Sequence, residues 1–288
     1  MLRAPSDSLE KLTHTLANAR VDLNPHQIDA ALFAFRSPLS QGAILADEVR
    51  LGKTIEAGIV ISQRWAERRR RILLIVPATL RKQWQGELDE KFYLPTRILE
   101  SATFNKMRRE GYPNPFETRD EIALCSYHFA AARAEEIRRV PWDLVVVDEA
   151  HRLRNVYKPT NKMARAIREA TAHAPKLLLT ATPLQNSLLE LYGLVSVIDP
   201  HVFGDLPSFR ERFVRDSAAG NVELKARLKT LCTRALRKQV LEYIRFTRRV
   251  PITQEFVPSP EEQLLYEKSP STCGAGCCWR CRRGSGRS

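Results

Sequence analysis

A chain of 288 residues, 43% of them hydrophobic and 27% charged, has enough apolar material for one large core with an appended subdomain, which excludes a disordered polymer. Lys and Arg number 46 against 33 Asp and Glu, and the resulting net charge of +13 fits a polyanionic partner without identifying one. No run approaches the ~20 apolar residues of a membrane span, and the N-terminal MLRAPSDSLEKL lacks the apolar centre of a signal peptide, so the reading is of a cytoplasmic protein with no membrane partner. Of the six cysteines, Cys125 and Cys232 stand alone in the body while Cys273, Cys277, Cys278 and Cys281 crowd the end, which excludes a disulfide framework.

In chain order, residues 26–35 carry apolar positions at helical spacing behind a turn at Asn24 and Pro25. Short apolar runs follow at 43–45, 72–76, 122–127, 143–147 and 176–180, each reading as a buried strand. Amphipathic stretches at 54–67, 79–91 and 160–172 separate them. Strands alternating with helices predict an α/β fold, a parallel sheet covered on both faces, whose ligand sits at the carboxyl ends of the strands. Beyond Pro200 the pattern turns basic and helical, with breakers at Pro207 and Gly220, and predicts a helical appendage over 201–250. ITQEFV at 252–257 alternates like a strand and SPEEQLLYEK at 259–268 begins like a helix, so a second domain is expected to start over 251–268. Residues 269–288 hold no acidic residue and no apolar period, and read as an unstructured tail.

The chemistry lies just after the strands. GAILADEVRLGKT at 42–54 reads as a strand, a phosphate-binding loop and a helix start, with Asp47 where the first glycine of GxxxxGKT would stand. Backbone N–H groups of such a loop and the N-terminus of the following helix cradle phosphates; Lys53 would sit against the β- and γ-phosphates and Thr54 would ligate Mg²⁺. DLVVVDEAH at 143–151 puts Asp148 and Glu149 directly after a strand, where one carboxylate holds Mg²⁺ and the other orients or deprotonates the attacking water. LLLTATPLQN at 177–186 places Thr180 and Thr182 after another strand.

Taken together, GAILADEVRLGKTIEAG, ILLIVPATLRKQW, DLVVVDEAHRLRN and KLLLTATPLQNSLLELYGLVSVIDP resemble the Swi/Snf-type branch of the superfamily-two DNA translocases, near its bacterial members, over residues 20–268. The resemblance implies a RecA-like first lobe over 1–200 and a DNA-dependent ATPase that uses ATP and Mg²⁺ to move on duplex DNA and remodel or displace bound protein. It implies that Gln27 reads adenine, that Asp47, Gly52, Lys53 and Thr54 form the nucleotide loop, and that Asp148 and Glu149 serve metal and water. His151, Thr180 and Thr182 would couple nucleotide to track. Pro77, Thr79, Lys82, Ser126 and Tyr127 would lie along one DNA strand. Arg68 to Arg71 join a helix to a strand at the end opposite the nucleotide and read as a solvated loop. Arg234, Arg237 and Lys238 read as one basic helix face meeting either phosphate or water.

Two departures from the resembled pattern carry expectations of their own. Arg50 replaces a loop glycine, and a bulky residue in left-handed backbone costs about 1–2 kcal/mol, so ATP binding is expected to be impaired. The pattern also breaks off inside a helix, and the final residues read as translation in a shifted frame. The resemblance implies a second RecA-like lobe that supplies arginines for hydrolysis, so the chain alone is expected to be inactive. The alternative reading is a non-hydrolysing nucleic-acid-binding fragment. The four clustered cysteines have ligand-like spacing but little apolar material around them, and no zinc is expected.

Overall fold

The computed structural model describes residues 20–21, 23–36, 41–48, 51–183, 187–215 and 218–236, with Val240, Ser259 and Glu261. Residues up to Arg245 form one compact unit, and Phe246–Ser288 form another. The expectations for Arg50, Arg237, Lys238 and nearly all of 251–288 lie outside the described residues.

The first unit is built on a seven-stranded sheet. Its strands are β1 (Gly42–Leu45), β2 (Ile72–Val76), β3 (Thr96–Ile98), β4 (Ile122–Ser126), β5 (Leu144–Val147), β6 (Lys176–Leu179) and β7 (Cys232–Thr233). The order across the sheet is β3-β4-β2-β5-β6-β1-β7 and every pairing is parallel. Because side chains alternate along a strand, each apolar run feeds two cores. Leu74, Val76, Val146 and Leu179 face one core, where α1 (Pro25–Arg36), α2 (Lys53–Ala66) and α3 (Arg81–Phe92) pack. Leu73, Ile75, Val145, Val147 and Leu178 face the other, covered by α5 (Tyr127–Ala132), α6 (Ala134–Arg138), α7 (Lys162–Ala170) and α8 (Leu188–Ile198). The α4 helix (Ser101–Arg109) adds Phe104 and Met107 to that second core.

The segment beyond Pro200 departs from the expectation of a separate helical appendage. The α9 turn (Leu206–Phe209), a π-helical turn (Arg210–Arg215) and α10 (Ala218–Lys229) bring Phe203, Phe209, Phe213 and Leu224 into the same apolar core as the sheet. The chain then pairs with β1 as β7, where Ile44 N donates to Leu231 O at 2.7 Å and Ala46 N to Thr233 O at 2.8 Å. Residue 200 is therefore no boundary. Arg234 follows a strand rather than lying on a helix, since the open edge of β1 needs a partner for its backbone groups. Among the described residues no helix is long and apolar enough to cross a membrane.

Candidate nucleotide site

The loop after β1 ends at Gly52, which has φ 93° and ψ 37° and caps the start of α2. Only glycine adopts that left-handed backbone without strain, and a Cβ there would stand 2.4 Å from Gln27 Nε2. Gln27 is almost fully buried; its amide donates to Leu51 O at 3.1 Å and accepts from Asn24 N at 3.1 Å. His26 Nε2 lies 2.9 Å from the same Leu51 carbonyl. Two neighbouring side chains of α1 thus hold the loop where it turns into α2, whose first N–H groups have no helical acceptor. The Lys53 ammonium donates back to Asp47 O at 2.9 Å and Glu48 O at 3.3 Å, so it spans the loop that it closes.

Beneath this loop the Asp47 carboxylate turns inward, 1% exposed, and its Oδ1 accepts from Ala235 N at 2.7 Å. Asp47 meets the loop's surroundings through its backbone carbonyl rather than its side chain. Glu56, on the first turn of α2, is 0% exposed, with a carboxylate oxygen within 4.8 Å of one of Asp47. Burial, then the neighbouring Asp47, pushes Glu56 up to about 9, and burial raises Asp47 as well. His26 completes the cluster, its ring offering an atom within 4.8 Å of the two carboxylates.

Two strands away, Asp148 ends β5 with its side chain 8% exposed. Trp84 Nε1 donates to Oδ2 at 2.8 Å and Glu149 N to Oδ1 at 2.8 Å, so both oxygens are aimed. Burial raises the Asp148 carboxyl, while the Trp84 bond and the charge of Lys53 oppose the rise. Glu149 itself adopts φ 52°, a left-handed conformation rare for a residue with a side chain, and it turns the chain sharply out of the strand. Its Oε2 lies 3.0 Å from His151 Nδ1, an ion pair when the imidazole is protonated, although the angle is not that of a hydrogen bond. The short turn that follows, Ala150–Leu153, is backed closely by α8: a Cβ on Gly193 would stand inside the Arg154 carbonyl. Just after β6, Thr180 is fully buried, its N bonding Leu45 O at 3.0 Å and its Oγ1 accepting from Thr182 N at 3.2 Å. Thr182 is exposed.

The residues read as a DNA path separate into two groups. Thr79 and Lys82, after β2, are exposed, and Ser126 is partly so, capping α5 through the Phe129 N–H. Pro77 is buried. Tyr127 is 2% exposed, and its hydroxyl donates to Asp148 O at 2.5 Å, tying β4 to the acidic strand end. The structure adds His26, Glu56, Trp84 and Ala235 to the site. Trp84 stands in the same run as Pro77, Thr79 and Lys82, but nothing in its local pattern says that its indole meets a carboxylate.

The arrangement of a glycine-turned helix start, a lysine closing its loop and an oriented buried carboxylate fits a nucleotide with a divalent cation. Comparison with known proteins agrees. The SNF2-related domain matches residues 26–272. The RNA polymerase-associated protein RapA of Serratia proteamaculans (strain 568) is 36% identical over 199 residues, covering 67% of this chain and 20% of RapA, so the chain spans about a fifth of that relative. The Sulfolobus solfataricus SWI2/SNF2 ATPase core in complex with dsDNA shares 26% identity at a TM-score of 0.63, covering 76% of this chain and 46% of that one. The Sulfolobus solfataricus SWI2/SNF2 ATPase core domain, at 24% identity and a TM-score of 0.61, is alike in fold over the same 76%. The chain belongs to the SNF2-related family, as a first RecA-like lobe of a Swi/Snf-type, helicase-like ATPase.

Proposed function

We propose that the chain is the ATP-binding lobe of a DNA-dependent ATPase that moves along duplex DNA and remodels or displaces protein bound there. The observation that carries this is the joint placement of the Lys53 loop after β1 and of Asp148 after β5 at the carboxyl ends of one parallel sheet, with both Asp148 oxygens oriented by Trp84 Nε1 and Glu149 N. On this reading Lys53 exchanges its bonds to the Asp47 and Glu48 carbonyls for phosphate oxygens, and the first N–H groups of α2 receive the rest. Thr54 and Asp148 would hold Mg²⁺, which would offset phosphate charge. Glu149 orients the attacking water, with His151 beside it as the link to Thr180 and Thr182. Gln27 fits adenine recognition through its place beside the loop, but in this structure both ends of its amide are already bonded. Thr79, Lys82 and Ser126 are the accessible groups for a DNA strand, and a second RecA-like lobe would meet this end of the sheet.

Titration of Mg²⁺ and labelled ATP into the native chain, its Lys53→Ala variant and its Arg50→Gly variant tests the reading. Saturable binding lost in Lys53→Ala supports it. Binding that survives Lys53→Ala overturns it, because the ammonium is the group aimed across the loop. Binding by Arg50→Gly alone would favour the second reading, a nucleic-acid-binding fragment whose phosphate loop Arg50 has disabled.

A further inference from the structure

At the amino ends of the strands four arginines line one cavity. Arg68, Arg70 and Arg71 come from the connection between α2 and β2, and Arg119 from the turn before β4; with Asp120 and Asp143 they line an open depression of about 480 Å³. Arg71 precedes β2 and Pro77 follows it, so roughly 16 Å of strand separates this cavity from the nucleotide end. A second cavity of about 410 Å³ adjoins it, sharing Arg71, Arg119 and Asp120.

Charge there is not balanced from within. Among the described residues none of the four arginines makes an ion pair, whereas their neighbours Arg64 and Arg69 both pair with Glu67. Asp143 spends one oxygen on the Arg71 N–H at 3.0 Å. Arg70 lies with its guanidinium 4.9 Å from the Trp65 ring centre, and its Nε is buried without an acceptor. A guanidinium attracted to an indole face loses freedom and still has N–H groups to offer a ligand. The backbone adds an independent sign. Arg68 has φ 63° at the end of α2, where Arg68 N bonds Trp65 O and Arg69 N bonds Arg64 O. That helix-ending position ordinarily belongs to glycine, and a strained side chain there is kept at a cost to the fold.

We propose that this cavity is a second anion site, separate from the nucleotide end, that takes a small ligand bearing two or more phosphate groups. Its volume is that of a small-molecule pocket, and planar guanidinium forks match phosphate oxygens in pairs. A nucleoside polyphosphate and inorganic polyphosphate share this chemistry. A duplex following Thr79 and Lys82 would run along the other end.

The test uses the full chain carrying Lys53→Ala, so that the phosphate loop does not compete, titrated with tripolyphosphate, with ADP and with duplex DNA. Tripolyphosphate should bind saturably, and addition of Arg70→Gln and Arg119→Gln should weaken it at least tenfold. ADP binding with the same losses would identify a nucleoside ligand; tripolyphosphate alone would identify the inorganic one. Arg68→Gly keeps the proposal testable should the double variant unfold: it relieves the strained backbone, so its thermal midpoint should hold or rise while tripolyphosphate binding falls. Absence of saturable binding, or equal affinity in the arginine variants, overturns the proposal. So does a loss confined to duplex DNA, which would make the cavity a nucleic-acid contact.

Discussion

The two ends of the parallel sheet bury opposite charges and treat them differently. At the carboxyl end lie Asp47, Glu56 and Asp148; at the amino end lies Lys176, 2% exposed at the start of β6. The Lys176 ammonium donates to Ala174 O at 2.9 Å and Ala172 O at 3.5 Å, carbonyls just beyond the end of α7, where a helix favours a cation. Its surroundings are complete, and nothing about it invites a ligand. At the carboxyl end Asp47 Oδ2 and both Glu56 oxygens are buried without a hydrogen-bond partner, while Asp148 has both oxygens aimed. Burial of a charge alone therefore does not mark a site. Burial with spare bonding capacity, beside a loop that ends in left-handed glycine, does.

The largest effect that sharpens this contrast concerns Lys176. Burial lowers its ammonium to about 8, against 10.5 in the unfolded chain. Between those two values the unfolded chain holds a proton that the folded chain has released, so stability rises with pH across the window and is lost as pH falls through 8. Lys176→Met removes the titration. The variant's stability relative to the native chain should be most favourable below pH 8 and decline by up to roughly 3 kcal/mol toward pH 10.5, read from urea unfolding at each pH. A difference that is flat in pH would mean that the ammonium is not desolvated, and the contrast between the two ends would fail.

Next in size is Trp84→Phe. It leaves Asp148 Oδ2 buried without its donor, and hydrogen bonds to charged groups contribute about 1.5–3 kcal/mol. The loss should be visible in urea unfolding at neutral pH and shrink in acid, because the indole bonds the ionised carboxylate more strongly than the protonated one, whose carbonyl oxygen accepts only as a neutral group. Gly52→Ala should cost about 1–2 kcal/mol for left-handed backbone. It should also displace Gln27 from Leu51 O and weaken ATP binding. An alanine that leaves ATP affinity intact would show that Gln27 does not set the loop.

Much of this was legible in the sequence, for reasons that also explain the gaps. Apolar runs such as ILLIV and LVVV announce strands buried on both faces, and glycine, lysine and paired acids after them announce phosphate chemistry. The β3 and β7 strands, three and two residues long, have no such run. Cys232 and Thr233 sit inside a basic, helix-like pattern and become a strand only because β1 has an open edge. The same rule governs the site. Lys53 and Asp148 stand out in the sequence because each lies in a run, GKT or DEAH, that follows an apolar strand. Trp84 meets Asp148 across 64 residues, and Ala235 meets Asp47 across 188, so no local pattern records either contact. Arg68 to Arg71 read from sequence as a solvated loop between a helix and a strand, but their cavity depends on Arg119, which only the fold brings near.

The smallest predicted effect decides between two roles for one residue. Tyr127 follows a strand end at a position that the family pattern assigns to the DNA path, yet its ring is buried and its hydroxyl donates to the carbonyl of Asp148. If that bond is its role, Tyr127→Phe should lower stability by about 0.5–1.5 kcal/mol while duplex DNA affinity stays within twofold of native. A phenyl ring keeps the packing against Arg152, so the change isolates the hydroxyl. The opposite result, unchanged stability with weaker DNA binding, would require the tyrosine to swing out when DNA arrives. The acidic strand end would then be coupled to the track through a residue that leaves it, rather than one that braces it.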